Sequence, residues 1–189
     1  GLTTAQMTMR SIYGNAGWGA SNWVMAEGEY PRLAWEGTGA PPLPAPEPVP
    51  LSGSGTELDP YHVYTAEDFA LLSWYEAVLD AHIELENDLD CQGVFLYPIG
   101  DLGPFNGVFD GQGHVIRNVA IHQPGGGFVG LLGFLGESGE IQNVGIEDLD
   151  IVGSFIVGGL VAANLGTVTE CYAAGELTVR GEGTGGLAV

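Results

Sequence analysis

Gly159-Leu160-Val161-Ala162-Ala163-Asn164-Leu165-Gly166-Thr167-Val168-Thr169-Glu170-Cys171-Tyr172 joins two short apolar segments through small residues, and a weaker copy of it lies upstream. The copy runs from Leu131-Leu132 through Ile141-Gln142-Asn143-Val144, with Asn143 standing 27 positions before Glu170. Gly186-Leu187 again falls 27 positions after Gly159-Leu160. A period near 27 built of short strands and glycine turns is the length of one solenoid coil, hydrogen-bonded to the coils above and below it. Val, Leu, Ile and Phe then stack inside, and small residues turn the corners. Glycine makes up 32 of the 189 residues, against an ordinary share of about 7%, which excludes helical repeats. A propeller blade takes about 40 residues or more. The fold class is therefore all-β, a parallel β-helix of about 27 residues per coil.

Outward from this array, helical periodicity is absent from His82 to the end of the chain. Ile83-Glu84-Leu85, Val115-Ile116-Arg117-Asn118-Val119-Ala120-Ile121 and Ile141-Gln142-Asn143-Val144-Gly145-Ile146 alternate in character and are cut by Gly-rich turns. Tyr61 to Tyr64 reads as a further strand. Thr65-Ala66-Glu67-Asp68 then opens an amphipathic run carrying Phe69, Leu71, Leu72, Trp74 and Tyr75. Thr65 as N-cap with Asp68 three positions on forms a capping box, predicting one helix over about 66–79. Further upstream, Pro41-Pro42-Leu43-Pro44-Ala45-Pro46-Glu47-Pro48-Val49-Pro50 has few backbone donors and little to bury. Extended polyproline II makes this stretch a spacer about 30 Å long. Three parts result: a Trp-rich segment 1–36, a linker 37–52, and the β-helix with its capping helix, 53–189.

Charge narrows the function classes. Against 24 Asp and Glu stand four cations, Arg10, Arg32, Arg117 and Arg180, for a formal net charge of -20. Such a surface repels phosphate, which excludes nucleic acid as a partner, and it is best screened by salt or divalent cations. That points to an extracellular or cell-surface setting. The sequence holds no run of 18 apolar residues to span a bilayer and no visible signal peptide, so it reads as a processed or excised piece. Cys91 and Cys171 show no metal-type CxxC spacing. Two buried thiols are the favoured reading, and a single disulfide stays open.

The stretch from Gly159 to Gly175 resembles the GLUG motif of adhesin-like bacterial surface proteins, a motif also found in the non-catalytic regions of IgA-specific metalloendopeptidases. Gly159, Leu160, Asn164, Gly166, Cys171 and Tyr172 carry the likeness. Asn143 keeps the Asn that precedes the Cys-Tyr position, and Glu170 replaces it. Upstream, Asp59-Pro60-Tyr61, Pro98-Ile99-Gly100, Phe105, Gly107, Phe109, Asp110, Gly111, Gly113 and Asn118 are similar to the opening of such arrays. The resemblance covers about 53–189 and implies a right-handed parallel β-helix. Residues Trp18, Trp23, Tyr30, Pro31 and Leu33, with Trp35 beyond them, resemble the closing segment of an array, placed here at the opposite terminus. That inversion implies partners: copies of the chain docked head to tail, each N-terminal segment closing the next open coil into a filament, or neighbouring modules of a larger surface protein.

Candidate chemistry is sparse. His62, His82, His114 and His122 share no metal-ligand spacing and no HExxH occurs, so the metalloendopeptidase chemistry is not carried over. Gly125-Gly126-Gly127-Phe128 and Gly133-Phe134-Leu135-Gly136 lack the lysine of a phosphate loop and read as solenoid corners. Asp88 with Asp90, and Asp148 with Asp150, are i,i+2 pairs at about 6.6 to 6.8 Å on one strand face. That spacing suits a glycosidase pair at about 5 to 9.5 Å, yet a solvated strand face is the simpler reading. No dedicated calcium loop is present, and weak calcium binding by carboxylates stays open. Trp18, Trp23, Tyr30 and Trp35 read as a plug for the β-helix end before a glycan platform. The expectation is a non-enzymatic, extracellular structural or adhesive module with no catalytic residue and no cofactor. Polysaccharide binding or cleavage is the alternative, with a glycan as a further ligand class.

Overall fold

In a computed structural model, residues 23–24, 32–33, 49–101, 103–179 and 184–186 are described, and the chain divides into two compact units, Gly1–Val49 and Pro50–Val189. In the first unit β1 (Trp23–Val24) pairs antiparallel with β2 (Arg32–Leu33), Trp23 opposite Leu33. Trp18, Tyr30, Pro31, Trp35 and the linker 37–48 lie outside the described residues.

The second unit is a parallel β-solenoid of about four coils, with strands short enough for corners to interrupt them every few residues. One face stacks β3 (Tyr61–Val63), β4 (His82–Leu85), β6 (Val108–Asp110), β11 (Glu140–Gln142) and β15 (Thr167–Thr169), all parallel. A second face stacks β5 (Leu89–Asp90), β7 (Val115–Arg117), β12 (Gly145–Gly153) and β16 (Tyr172–Val179), with β8 (Ala120–His122) also on β12. A third holds β9 (Phe128–Val129), β13 (Ile156–Gly158) and β17 (Thr184–Gly186). The fourth pairs β10 (Leu132–Leu135) with β14 (Val161–Asn164), and single parallel bridges extend it from Ile99 and Phe105.

Each coil is attached to the next by backbone hydrogen bonds at equal positions. Val108 N–H donates to Ala81 C=O at 3.0 Å, Glu140 to Gly107 at 2.9 Å and Thr167 to Gly139 at 2.9 Å. Because the pairing is in register, like positions stack. Ile83, Phe109 and Ile141 form one buried column with Val168 above them, and Leu89, Ile116, Ile146 and Ala173 form another. Gly107 sits where a Cβ would run into the backbone of Ala81 in the coil below, which is why the strand can be approached so closely there.

The 27-residue register holds for Ile141 on Val168 and Ile146 on Ala173. Between the two preceding coils the spacing is longer, because corners 111–114 and 123–127 take extra residues. Gly186 pairs with Gly158, one position from the expected Gly159. Gly133, Phe134 and Leu135 lie inside β10 and not at a corner.

The predicted helix is shorter than expected. Thr65 and Asp68 do form the capping box: Asp68 N–H donates to Thr65 Oγ1 and Thr65 N–H to Asp68 Oδ2, both at 3.1 Å. However, α1 spans only Ala66–Leu71, and a separate 3-10 turn follows at Glu76–Val78. Ser73 Oγ donates to Ala70 C=O at 3.0 Å, and Tyr75 is extended, so the helix ends before Trp74. Phe69 of α1 meets Phe109 edge-on at 6.1 Å and covers the first column. Tyr64 leaves the β3 strand because its N–H is taken by Asp68 Oδ2.

Two strands expected to be continuous are broken by left-handed residues. Asn118 (φ 56°) separates β7 from β8, and Asn143 (φ 54°) separates β11 from β12. Register places Asp148 (φ 52°) over Asn118 and Glu170 (φ 53°) over Asn143, so the left-handed position recurs from coil to coil. Asn and Asp tolerate this region, whereas Glu pays a steric penalty. Glu170→Asn is therefore expected to raise stability by about 1 kcal/mol, and Phe109→Ala to lower it by about 3–5 kcal/mol, both read by denaturant unfolding.

Candidate functional site

The outward side of the second face gathers the only dense charge network among the described residues. Arg117, on β7, lies in register between Asp90 of the coil below and Glu147 of the coil above. Its Nε donates to Glu147 Oε2 at 3.0 Å and its Nη1 to Asp88 Oδ2 at 3.2 Å. Asp88 Oδ1 also accepts from Val115 N–H at 3.1 Å and lies 3.1 Å from His114 Nδ1. Asp90 Oδ1 accepts from Asn118 Nδ2 at 2.8 Å and from Gln92 N–H at 3.0 Å. Above Arg117, Tyr172 O–H donates to Glu147 Oε1 at 2.9 Å. The Tyr172 ring lies over Gly145, in space that a Cβ at that position would fill.

These contacts favour the ionised forms of the carboxylates. Backbone and side-chain donors from Val115, Arg117 and His114 hold Asp88 below the usual carboxylate range. Asn118 and Gln92 do the same for Asp90, and Tyr172 and Arg117 for Glu147. Asp88 and Asp90 share the outward face, as expected of an i,i+2 pair around buried Leu89. A general acid needs a raised pKa at neutral pH, and these carboxylates are moved the other way. Asp148 and Asp150 are both exposed. Asp148 sits at a left-handed bulge, and Asp150 Oδ2 is 2.9 Å from His122 Nε2.

The other motif residues serve the stack. Asp110, at the end of β6, accepts from Gln112 N–H, Gln142 Nε2 and Asn143 Nδ2 at 2.8, 2.7 and 3.1 Å, which ties corner 111–114 to the next coil. Gly111 and Gly113 form that corner. Phe105 and Leu160 are fully buried, and Gly159 lies beside Leu160 at the turn into β14. Asn164 Oδ1 accepts from Gly166 N–H at 2.9 Å. Cys91 and Cys171 are free thiols. Burial pushes the Cys91 thiol up to about 12, which makes it a packing group and not a nucleophile.

Two groupings escaped the sequence reading. His62, Glu84 and Glu86 come within 4.8 Å of one another through one ligand atom each. Local spacing hides them because they lie on different coils, and only the pairing of His62 with Glu84 in register brings them together. Trp74, Tyr97 and Phe95 form a chain of edge-to-face rings at 4.9 and 5.0 Å, with Phe95 70% exposed. Trp74 reads as part of the predicted helix over 66–79, and Phe95 and Tyr97 fall between predicted elements.

Comparison with known proteins gives relatives by sequence and a neighbour by structure. Halomucin of Haloquadratum walsbyi is 34% identical over 146 residues, 71% of this chain and 2% of halomucin. A protein of Evansella cellulosilytica named as a Gly-rich membrane protein is 31% identical over 125 residues, 61% of this chain and 14% of that protein. The chain thus spans a small fraction of either relative. No protein-family model matches it. Among solved structures, a protein from Bacteroides ovatus named as an immunoglobulin A1 protease superposes with a TM-score of 0.52 at 23% identity. The match covers 66% of this chain and 40% of that one and shows the shared fold. No helix among the described residues is long and apolar enough to cross a membrane.

The lowered carboxylates set an acid dependence. A group whose native pKa is depressed stabilises the fold above its unfolded value, and that stabilisation is lost as pH falls through the native value. Melting temperature is therefore expected to hold near neutrality and to drop once pH passes below roughly 4.5. In Asp88→Asn/Glu147→Gln the drop should be shallower, measured by circular dichroism melts from pH 7 to pH 2.

Proposed function

We propose that this chain is a non-enzymatic, GLUG-type structural module of an extracellular or cell-surface protein, a stiff β-solenoid that spaces or presents its neighbours. The observation that carries this reading is the network on the second face. Asp88 and Asp90, the spaced pair that acid-base cleavage of a polysaccharide would call on, and Glu147 beside them are each tied to an adjacent coil. Their lowered pKa values suit permanent anions in a ladder and not proton donors. The names of the relatives, a halomucin and a Gly-rich membrane protein, support a surface setting. So does the net charge of -20, which is best screened in salt.

Within this reading the partners are copies of the chain or neighbouring modules. The Trp-rich segment 1–36 closes the open coil of the next subunit across the Pro-rich linker 37–52, and head-to-tail closure of this kind propagates as a filament. A second reading, glycan binding, draws on the Trp74, Tyr97 and Phe95 rings, since exposed aromatic faces stack on sugars.

Light scattering over a concentration series tests assembly on the intact chain and on one lacking residues 1–40. The intact chain is expected to grow in mass with concentration and the truncated chain to stay monomeric; equal behaviour of the two overturns segment exchange. Incubation with acidic polysaccharides is expected to release no new reducing ends. Release that is abolished in Asp88→Asn/Asp90→Asn would overturn the structural reading.

A further inference from the structure

We propose that His62, Glu84 and Glu86 form a binding site for one divalent transition-metal ion of the zinc type, stapling the edge strand β3 to the first full coil. The three side chains arise from backbone that is already fixed. His62 is the middle residue of β3 and pairs in register with Glu84 of β4. Glu86 follows β4 directly, and its N–H donates to Val63 C=O at 3.0 Å, which locks it beside the same strand. Asn87 Nδ2 donates to Tyr64 C=O at 3.1 Å and closes the same corner. All three ligand residues are half-buried, so an ion there would lose part of its water but keep an open side.

Distances and donor chemistry agree on the class of ion. His62 Nδ1 lies 2.6 Å from Glu86 Oε1, and one ligand atom from each of the three residues lies within 4.8 Å of the others. Ligands of a tetrahedral zinc ion, at bond lengths of about 2.0–2.2 Å, stand about 3.4 Å apart. The side chains must shift by roughly 1 Å to reach that spacing, which glutamate's torsions allow. One imidazole nitrogen with two carboxylates leaves a fourth position for water, a set that suits zinc. Calcium, which takes six to eight oxygens, is poorly served by it.

Electrostatics favours occupancy as well. Glu84 stacks in register on Asp110, so a third carboxylate adjoins the two glutamates gathered beside His62. Stacked like charges destabilise a ladder. Asp110 is served by Gln142, Asn143 and Gln112, and Arg117 is engaged by Asp88 and Glu147 on another face. A bound dication would neutralise the excess at the end of the first sheet, where β3 has β4 on one side and the single Ser52–His62 bridge on the other.

The test is isothermal titration of zinc into the chelator-stripped full chain, with circular dichroism melts in parallel. The expected result is one zinc ion per chain and a melting temperature raised by zinc. Loss of outer-shell partners alone weakens metal sites about 10- to 100-fold, so His62→Ala and Glu84→Gln should each weaken binding by at least about tenfold. Glu84→Gln preserves shape and guards against a folding artefact in His62→Ala. His122→Ala, which removes a histidine on the second face, should bind as the intact chain does. The proposal is overturned if no zinc binds, if Glu84→Gln binds as tightly as the intact chain, or if His122→Ala costs as much as His62→Ala. It is also overturned if calcium raises the melting temperature as much as zinc and Glu84→Gln leaves both unchanged.

Discussion

Parallel pairing between successive coils, in register, is the constraint from which the remaining features follow. A coil of about 27 residues cannot bury its own apolar side alone, so its inner residues are covered only when another coil stacks on it. The bonds from Val108 to Ala81, Glu140 to Gly107 and Thr167 to Gly139 set that stacking. With register fixed, Ile83, Phe109 and Ile141 must lie over one another, and so must the residues that point outward. A short helix adds to the column: α1, capped by Thr65 and Asp68, places the buried Phe69 edge-on against Phe109.

Outward columns are harder to satisfy than inward ones, because strands about 4.8 Å apart bring each charge next to its equivalent. Like charges directly opposite are destabilising, and a chain with 24 acids and four arginines cannot alternate signs at every level. The second face uses the arginine it has: Asp90, Arg117 and Glu147 follow one another in register. Elsewhere amides and imidazoles replace cations. Asp110 is held by Gln142 and Asn143, Asp150 lies against His122, and Glu86 against His62. Three of the four histidines thus meet a carboxylate two dozen or more positions away in sequence.

The period was legible in the sequence because it is set by short-range facts: glycine at the approach points, an apolar residue at alternate positions, and Asn143 answered by Glu170. The N-cap was legible for the same reason, since Thr65 and Asp68 are three positions apart. What failed was where local pattern and backbone geometry part. Val115 to Ile121 alternates like one strand, but Asn118 adopts a left-handed conformation and divides it. The run after Asp68 is amphipathic, but Ser73 takes the carbonyl of Ala70 and α1 ends. The candidate site was legible in part. Asp88 and Asp90 stood out as an i,i+2 pair, while their partners Arg117 and Asn118 come from the next coil. His62 with Glu84 and Glu86 was hidden entirely, because only the register of β3 on β4 assembles it.

The position of Arg117 explains why the second face holds together despite its net negative charge. Its guanidinium reaches Asp88 two levels of side chain away from Glu147, so one cation bridges three successive coils. Removing the cation would leave Asp88, Asp90 and Glu147 on successive levels with Tyr172, His114, Asn118 and the backbone N–H groups of Val115 and Gln92 as their partners. Lysine would not replace it, since a single ammonium cannot direct two separate N–H groups in the fixed geometry that the fork provides. The face is therefore organised around one residue in the middle coil, and its acids are arranged to be held as anions. Such an arrangement ties three successive coils together in the direction of stacking, which is what the proposed structural role asks of this face.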